Sequence, residues 1–258
     1  MLLFYFLIIP FFFLNAHTIF LEKQIYTKPV INKIPKIIHQ IWVGKKQIPE
    51  NYKSFMQTIK NLHPDWEYKL WTDEDVESFP WINKAAFNKA TNPVMKSDIW
   101  RIEILYKYGG VYLDSDMESI RALDPIHERL LSYCGYDSNR KSVIANSVLA
   151  SEPENPLYQK IIISIKKNLN KIKDISKISP KQIVLETGPG LITKVINENK
   201  NLLNELNIIL SYEYFQPVYH QNTGTPRTDK ERYNIENCCF AIHHNGCFWT
   251  GSEFFPSK

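Results

Sequence analysis

The amino-acid sequence predicts one α/β domain that follows a short apolar segment at the N-terminus. Short β-branched runs alternate along the chain with segments whose apolar residues recur at helical spacing. The 258 residues are 44% apolar and 22% charged, which is typical of a globular protein with a substantial core. No repeat or clear linker interrupts residues 34–258, so we expect a single domain there.

The N-terminal segment carries no charge before Glu22, and residues 1–14 are almost wholly apolar. This run is shorter than the roughly 20 apolar residues that span a bilayer. We interpret residues 1–21 as a signal sequence or membrane anchor and residues 22–33 as a stem, which predicts a membrane-associated protein of the secretory pathway. The alternative is an apolar element that packs against the domain. No Lys or Arg precedes the run, so its orientation stays open.

Seven short segments are predicted to be strands because they are apolar and rich in β-branched or aromatic residues. They lie at residues 36–43, 66–71, 111–113, 132–136, 143–149, 208–211 and 239–243. This number of strands, interleaved with helices, is what one α/β sheet requires.

Apolar residues at helical spacing predict the helices between these strands. The segments are 50–62, 94–108, 156–178 (as one helix or two) and 190–198. A further short helix should begin at Thr72, where Asp75 completes a capping box. Gly109 should end the helix over 94–108, because glycine readily adopts the conformation that follows a helix.

Charge and cysteine content exclude several classes of function. The 31 Lys and Arg residues barely exceed the 27 Asp and Glu residues, so nucleic acid is not expected as the main partner. The four cysteines form no Cys-x-x-Cys pair, and Cys238 and Cys239 are adjacent. A structural zinc site and a disulfide framework are therefore not expected.

The strongest local signal is a strand that ends in two carboxylates. Gly109 and Gly110 precede a short apolar strand that delivers Asp114 and Asp116, two residues apart. Both side chains can reach one cation at a strand end, and hard oxygen ligands suit Mg²⁺ or Mn²⁺. The alternative is an acidic surface turn.

The helix before this strand strengthens the functional interpretation. Asp98 and Arg101 are three residues apart and so lie on one helical face. With the double glycine and the acidic strand end, they should converge on one cleft beyond the carboxyl end of the strand. The alternative is a solvated ion pair that contributes little.

Residues 97–116 as a whole resemble the signature of the glycosyltransferases that contain a DXD sugar-binding region. That family includes the Golgi initiating α-1,6-mannosyltransferases and the inositol-phosphoceramide mannosyltransferases, and the large glucosylating toxins are similar at the motif. Further blocks resemble the family in its own order; they are residues 34–44, 64–71, 186–190 and 241–249.

The resemblance implies an α/β domain of the GT-A type, a Rossmann-like nucleotide-sugar-binding fold with a central mixed sheet, and a bound Mn²⁺ or Mg²⁺. It also implies that Asp116 is a direct metal ligand. Asp114 would lie over the ribose and sugar and reach the metal through water. His243 would be the second protein ligand, with His244 as the alternative.

The same resemblance assigns the donor pocket. Asp98 and Arg101 would hold hydroxyls of the sugar, Tyr112 would line the pocket, and Trp42 would stack on the nucleotide base. Two further sets of residues are implied near the donor. They are Asn146 near the anomeric centre, for which a hydrogen-bonded loop residue is the alternative, and Gly188 and Pro189 of a Thr-Gly-Pro turn.

The function implied is transfer of a hexose, with mannose favoured, from a nucleotide sugar to a glycan or glycolipid. GDP-mannose is the favoured donor and a UDP-hexose the alternative. The family is generally retaining, whereas an inverting enzyme would need a free carboxylate, for which Glu118 and Glu186 are candidates. Phe248 departs from the family, which often has Ser there.

Two other functions remain as alternatives. One is a non-catalytic module that binds glycans or nucleotide sugars on the same fold. The other is a phosphohydrolase of the haloacid-dehalogenase type, which also places Asp-x-Asp after an apolar strand. That chemistry requires Thr or Val where this chain has Glu118, so it is disfavoured.

Overall fold

The computed structural model describes residues 25–138, 140–216 and 238–244. The apolar segment predicted over residues 1–21 lies outside the described residues. Within the predicted stem, Ile25 is buried in the core, and the backbone amides of Ile31 and Asn32 donate to the carbonyl of Glu128. This part of the stem therefore packs on the domain. No helix among the described residues is long and apolar enough to cross a bilayer.

A six-stranded mixed sheet forms the centre, in the order β2-β1-β3-β6-β5-β7. Strand β1 is parallel to β2 and β3, β6 is antiparallel to β3 and β5, and β7 is parallel to β5. A separate pair, β4 and β8, is antiparallel. The strands are β1 Ile37–Trp42, β2 Glu67–Thr72, β3 Gly110–Leu113, β4 Met117–Ser119, β5 Ser132–Tyr136, β6 Ile144–Ser151, β7 Asn207–Leu210 and β8 Ala241–His243.

Residues 25–27 are helical, and seven further helices that lie wholly within the described residues accompany the strands. They are α1 Glu50–Leu62, α2 Lys84–Lys89, α3 Pro93–Tyr108, α4 Asp124–His127, α5 Pro156–Lys171, α6 Pro180–Glu186 and α7 Pro189–Glu198. Single 3₁₀ turns lie at Asp73–Asp75, Ile175–Lys177, Lys200–Leu202 and Tyr212–Tyr214. The predicted α/β class with a central mixed sheet is confirmed.

Most predicted elements are present, with small shifts at their ends. The capping box of Thr72 and Asp75 is formed, but it opens a 3₁₀ turn rather than an α-helix. The segment predicted over 156–178 divides into α5 and a 3₁₀ turn. Four elements were not predicted, namely α2, β4, α4 and α6, because each has seven residues or fewer and too few positions to show a period. The capping box of Ser179 and Gln182 was the available signal for α6.

Apolar residues pack on both faces of the sheet. One cluster unites Ile41, Tyr112 and Leu149 of the sheet with α3, α5 and α7, and the other unites Val111 and Val148 with Ile59 of α1 and with Phe240 beside β8. Helix α3 is buried over ten of its sixteen residues rather than along one stripe. The carboxylate of Glu103 on α3 is buried and accepts the amides of Ile82 and Asn83, and its burial raises the pKa above the usual value. Such burial holds α3 in a fixed position behind the site described below.

The double glycine between α3 and β3 is required by its geometry. Gly109 and Gly110 have positive φ angles of 65° and 88°. A Cβ added to Gly110 would lie 2.6 Å from the carbonyl oxygen of Ile37. The His39 side chain fixes this turn, because Nδ1 accepts the Trp71 indole N–H and Nε2 donates to the Gly109 carbonyl at 3.0 Å. Burial lowers the pKa of His39 to about 4, so the ring is neutral at physiological pH.

We predict that Gly110→Ala destabilises the domain strongly. The positive φ alone costs about 1–3 kcal/mol, and the contact with the Ile37 carbonyl adds to it. Gly135→Ala is the matched control, since its Cβ would meet only the Phe215 ring, at 3.1 Å. Urea unfolding should show a clearly larger decrease in the free energy of unfolding for Gly110→Ala than for Gly135→Ala. Equal losses in the two variants would contradict the requirement for glycine at this turn.

Candidate functional site

The two carboxylates of the sequence motif lie at the carboxyl end of β3, where α/β sheets bind ligands. Their backbone is fixed from both neighbouring strands. The amide of Asp114 donates to the carbonyl of Ser147 on β6 at 2.9 Å, and Nε2 of Gln40 on β1 donates to the carbonyl of Asp114 at 3.0 Å. The turn that presents Asp114 and Asp116 is therefore held in place by the central sheet.

The two-stranded sheet brings a histidine to these carboxylates. The chain leaves the turn as β4, and Met117 of β4 pairs directly with His243 of β8. In addition, the amide of His244 donates to the carbonyl of Asp116 at 3.1 Å. A residue distant in sequence is thus placed beside the motif by backbone pairing.

Asp114, Asp116 and His243 form a compact cluster whose potential ligand atoms all lie within 4.8 Å of one another. Nε2 of His243 is 3.2 Å from Oδ1 of Asp116 and 3.8 Å from Oδ2 of Asp114. Two carboxylates and an imidazole are a donor set that suits Mn²⁺, and Mg²⁺ through the oxygens. The residues present therefore fit a divalent cation.

Of the two adjacent histidines, the structure brings His243 to the carboxylates. The ring of His244 instead lies 2.8 Å from Glu118 and stacks on Phe55. On the other side of the His243 ring, the amide of Gln216 lies 3.4 Å from Nδ1.

The electrostatics of the cluster suit a cation. Burial lowers the pKa of His243, but the adjacent carboxylates of Asp116 and Asp114 outweigh burial and raise it to about 9. In the absence of an ion, His243 is therefore protonated at neutral pH and partly neutralises the two carboxylates. A metal that binds Nε2 must displace this proton.

A buried guanidinium lies behind the carboxylates. Nη1 of Arg101 donates to Oδ1 of Asp114 at 2.9 Å and to the carbonyl of Asn146 at 2.7 Å, and Nη2 lies 3.3 Å from Asp98. The side chains of Arg101 and Asp98 are only 6% and 4% exposed. The alternative of a solvated surface ion pair is therefore wrong.

Asp98 is the second centre of this network. It accepts the Asn146 side-chain amide at 2.7 Å and the Thr187 hydroxyl at 3.1 Å, and a Cβ on Gly188 would lie 3.2 Å from its Oδ2. Burial raises the pKa of Asp98 to about 6, while Arg101 and the two hydrogen bonds oppose the rise. Residues from three distant parts of the sequence, namely α3, β6 and the turn at Thr187, thus meet at the carboxylate of Asp98.

Tyr112 joins the same network from β3. Its hydroxyl donates to Oδ1 of Asp114 at 2.7 Å, and the guanidinium of Arg101 lies 4.5 Å from its ring centroid. Oδ1 of Asp114 thus accepts hydrogen bonds from both Arg101 and Tyr112, whereas Oδ2 lies on the side of His243.

Trp42 lies at the carboxyl end of β1, which is parallel to β3, and therefore at the same edge of the sheet as Asp114. It is 6% exposed, its indole N–H donates to the carbonyl of Lys46, and its ring meets Tyr52 edge-on. Pro189 begins α7 directly after Gly188. The contacts thus join Asp98, Arg101, Tyr112, Asn146 and Gly188 to the acidic cluster, whereas Trp42 shares the sheet edge with it. Phe248 lies outside the described residues.

Three residues that support this cluster were not predicted from the sequence. Gln40 binds the backbone of Asp114, Thr187 binds Asp98, and Gln216 contacts His243. Gln40 and Thr187 lie in blocks that resemble the family, whereas Gln216 lies in a segment without a distinctive pattern. Glu118, a candidate base in the sequence, is paired with His244 in the structure.

Comparisons with known proteins identify the family that this chain resembles. Residues 49–131 match the family model described as "Glycosyltransferase sugar-binding region containing DXD motif". The predicted resemblance to that family is therefore confirmed.

Curated proteins with similar sequences include three fungal mannosyltransferases. "Inositol phosphoceramide mannosyltransferase 3" of Schizosaccharomyces pombe is 35% identical and aligns over 58% of this chain and 44% of its own length. "Inositol phosphoceramide mannosyltransferase 2" of the same organism is 32% identical over 85% of this chain and 59% of its own length. "Initiation-specific alpha-1,6-mannosyltransferase" of Candida albicans is 24% identical over 70% of this chain and 56% of its own length. The chain spans about half the length of these relatives.

A solved structure shares the fold. "PaToxG Glycosyltransferase" superposes with a TM-score of 0.51 and 16% sequence identity, covering 84% of this chain and 88% of that one. The described domain therefore has the fold of a glycosyltransferase domain.

We predict that Thr187→Val destabilises the domain more near about pH 8 than near about pH 5. The native pKa of Asp98, about 6, exceeds its unfolded value. Protonation of Asp98 therefore stabilises the folded state at low pH, and this contribution is lost as the pH rises through 6. Above that pH the Thr187 hydroxyl binds a charged oxygen, and such bonds are about twice as strong as neutral ones. Urea unfolding at both pH values measures the difference. Thr193→Val is the control, because its hydroxyl donates to the Pro189 carbonyl instead; a pH-independent loss in Thr187→Val would contradict the assignment.

We also predict that Mn²⁺ binding releases close to one proton at about pH 7.5. The pKa of about 9 keeps His243 protonated before the ion binds, and the ion requires the neutral ring. Calorimetric titration in buffers of different ionisation enthalpy counts the protons. The release should vanish in His243→Ala, and binding without proton release in the unaltered chain would show that His243 is not a ligand.

Proposed function

We propose that this chain is a metal-dependent glycosyltransferase that moves a hexose, with mannose favoured, from a nucleotide sugar to a glycan or glycolipid. One observation carries the proposal. The cluster of Asp114, Asp116 and His243 lies at the carboxyl end of β3, and Asp114 joins it to the buried network of Asp98 and Arg101. A cation site next to buried polar side chains suits the binding of a sugar diphosphate.

The cluster would hold Mn²⁺ or Mg²⁺, with Asp116 and His243 as direct ligands. A bound ion at this place supplies stabilisation of the negative charge that develops on the leaving diphosphate. Asp114 has a different role, because Arg101 and Tyr112 already occupy its Oδ1. Its Oδ2, which lies on the side of His243, would face the donor and the ion.

Asp98, Arg101 and Asn146 would orient the donor sugar. Each is already fixed by the others, so the pocket is organised before a ligand arrives. The amide of Asn146 is partly exposed, whereas Asp98 and Arg101 are almost fully buried. A sugar hydroxyl would therefore meet Asn146 before the buried pair.

GDP-mannose is the donor we favour, with a UDP-hexose as the alternative. The support is that the similar proteins of known function are mannosyltransferases. Two of them act on inositol phosphoceramide by name, so a glycolipid of that class is the acceptor we favour. Association with membranes of the secretory pathway through residues 1–21 would bring the domain to such an acceptor.

We propose a retaining reaction. An inverting enzyme needs an unengaged carboxylate to deprotonate the acceptor. Of the two candidates, Glu118 is paired with His244, and Glu186 is the last residue of α6, before the turn that packs on Asp98. Proton NMR of the product would show the anomeric configuration of the donor retained, and an inverted product would contradict this part of the proposal.

The direct test is a panel of nucleotide sugars supplied with Mn²⁺ and assayed for release of the nucleotide. We predict that GDP-mannose is turned over fastest and that Asp116→Asn lowers the rate about 100-fold or more, since a metal ligand contributes several kcal/mol. Asp124→Asn is the control, because that carboxylate pairs with Lys36 and Trp66 instead. Full activity of Asp116→Asn at saturating Mn²⁺ would refute the metal dependence. Binding without turnover of any donor would favour a non-catalytic module.

We further predict that Trp42→Ala weakens nucleotide binding. Stacking on a base contributes about 1–3 kcal/mol, which corresponds to roughly 5- to 150-fold in affinity. Trp66→Ala is a matched control, because Trp66 is 8% exposed and lies just before β2, at the opposite edge of the sheet from Trp42. Calorimetry with the nucleoside diphosphate should separate the two. A fall in melting temperature in Trp42→Ala with unchanged affinity would make Trp42 a core residue only.

A further inference from the structure

The position of His243 depends on a very small sheet. Strands β4 and β8 have three residues each and form no hydrogen bonds with the six-stranded sheet in the described part of the chain. A two-stranded pair is marginally stable by itself. The start of β8 is anchored by Phe240, whose amide donates to the Tyr214 carbonyl and whose carbonyl accepts the amides of Ile120 and Arg121. At the end of β8, the backbone is held by the pairing of His243 with Met117 and by the amide of His244, which donates to the Asp116 carbonyl. The side chains at this end require further contacts to fix their direction.

The side chain of His244 provides contacts at that end. Its Nε2 lies 2.8 Å from a carboxylate oxygen of Glu118 on β4. Its ring stacks on Phe55 of α1, with ring centroids 4.1 Å apart and planes 5° from parallel. Helix α1 is in turn attached to β4, because the amide of Ser119 donates to the Thr58 hydroxyl at 3.0 Å. We call Phe55, Glu118 and His244 the β8 clamp.

Adjacent residues of an extended chain point to opposite sides. His243 is directed to the carboxylates of the motif, and His244 is directed to Glu118 and Phe55. Fixing the ring of His244 therefore fixes the rotation of the chain about its own axis at this point. That rotation decides whether Nε2 of His243 faces Asp116.

We propose that the β8 clamp is a positioning device that holds His243 at metal-binding distance from Asp116. This inference rests on the proposed function for its biological meaning, but its test reads the affinity for Mn²⁺ rather than sugar transfer. Failure of the glycosyltransferase proposal would therefore leave the test intact. The residues of the clamp touch neither the metal nor the substrate in this account, and they act through His243.

The test measures Mn²⁺ affinity of the full chain by electron paramagnetic resonance of the free ion. Glu118→Ala should weaken binding about 10-fold or more, as removal of residues that orient metal ligands does. Glu128→Ala is the matched control, because that carboxylate is 28% exposed against 31% for Glu118 and is paired with Lys36. The control should leave the affinity unchanged. Equal weakening in both variants would overturn the proposal, since it would show a general effect of lost stability.

A double-variant cycle separates positioning from other roles. In a His243→Ala background, Glu118→Ala should weaken Mn²⁺ binding by less than about a further 2-fold, because the ligand that Glu118 positions is gone. An undiminished effect in that background would overturn the proposal.

A conservative variant separates position from charge. Glu118→Gln keeps an oxygen that can accept the His244 N–H, so it should retain most of the affinity. A loss as large as in Glu118→Ala would assign the effect to the negative charge of Glu118 and would also overturn the positioning role.

Discussion

The site depends on the ion pairs and hydrogen bonds made by the buried guanidinium of Arg101. A charge withdrawn from water is tolerated only when it is paired and hydrogen-bonded, and removal of one partner from such a pair is strongly destabilising. Arg101 meets this requirement with Asp98, Asp114 and the carbonyl of Asn146. Helix α3, strand β3 and strand β6 must therefore come together around one charge. The same constraint fixes the orientation of Asp114 before any ligand is present.

The second half of the site is built differently. Asp116 and His243 are brought together by the pairing of β4 with β8 rather than by a buried charge. One carboxylate of the motif is thus held rigidly from the sheet, while the histidine is carried on a small, separately anchored strand. The site therefore combines a preorganised network of buried polar side chains with a histidine whose position, in our proposal, depends on local contacts such as that of His244 with Phe55.

Much of this arrangement could be predicted from the sequence. The DXD motif, the helix that carries Asp98 and Arg101, and the family resemblance located the site, because each is a local pattern. The partners across the fold could not be derived in this way. Thr187 is 89 residues from Asp98, and nothing in its spacing shows that its hydroxyl meets that carboxylate. The family resemblance favoured His243 over His244, but the physical reason for that choice is the register of β4 with β8, and strands as short as β4 have no detectable period.

The central claim is that Asp114, Asp116 and His243 form one site for a divalent cation. Pulsed electron paramagnetic resonance of Mn²⁺ bound to the full chain tests it most directly, because a coordinated imidazole nitrogen modulates the electron spin echo. The account predicts modulation from one histidine nitrogen in the unaltered chain and its loss in His243→Ala. Absence of the nitrogen signal in the unaltered chain, or its persistence in His243→Ala, would contradict the account.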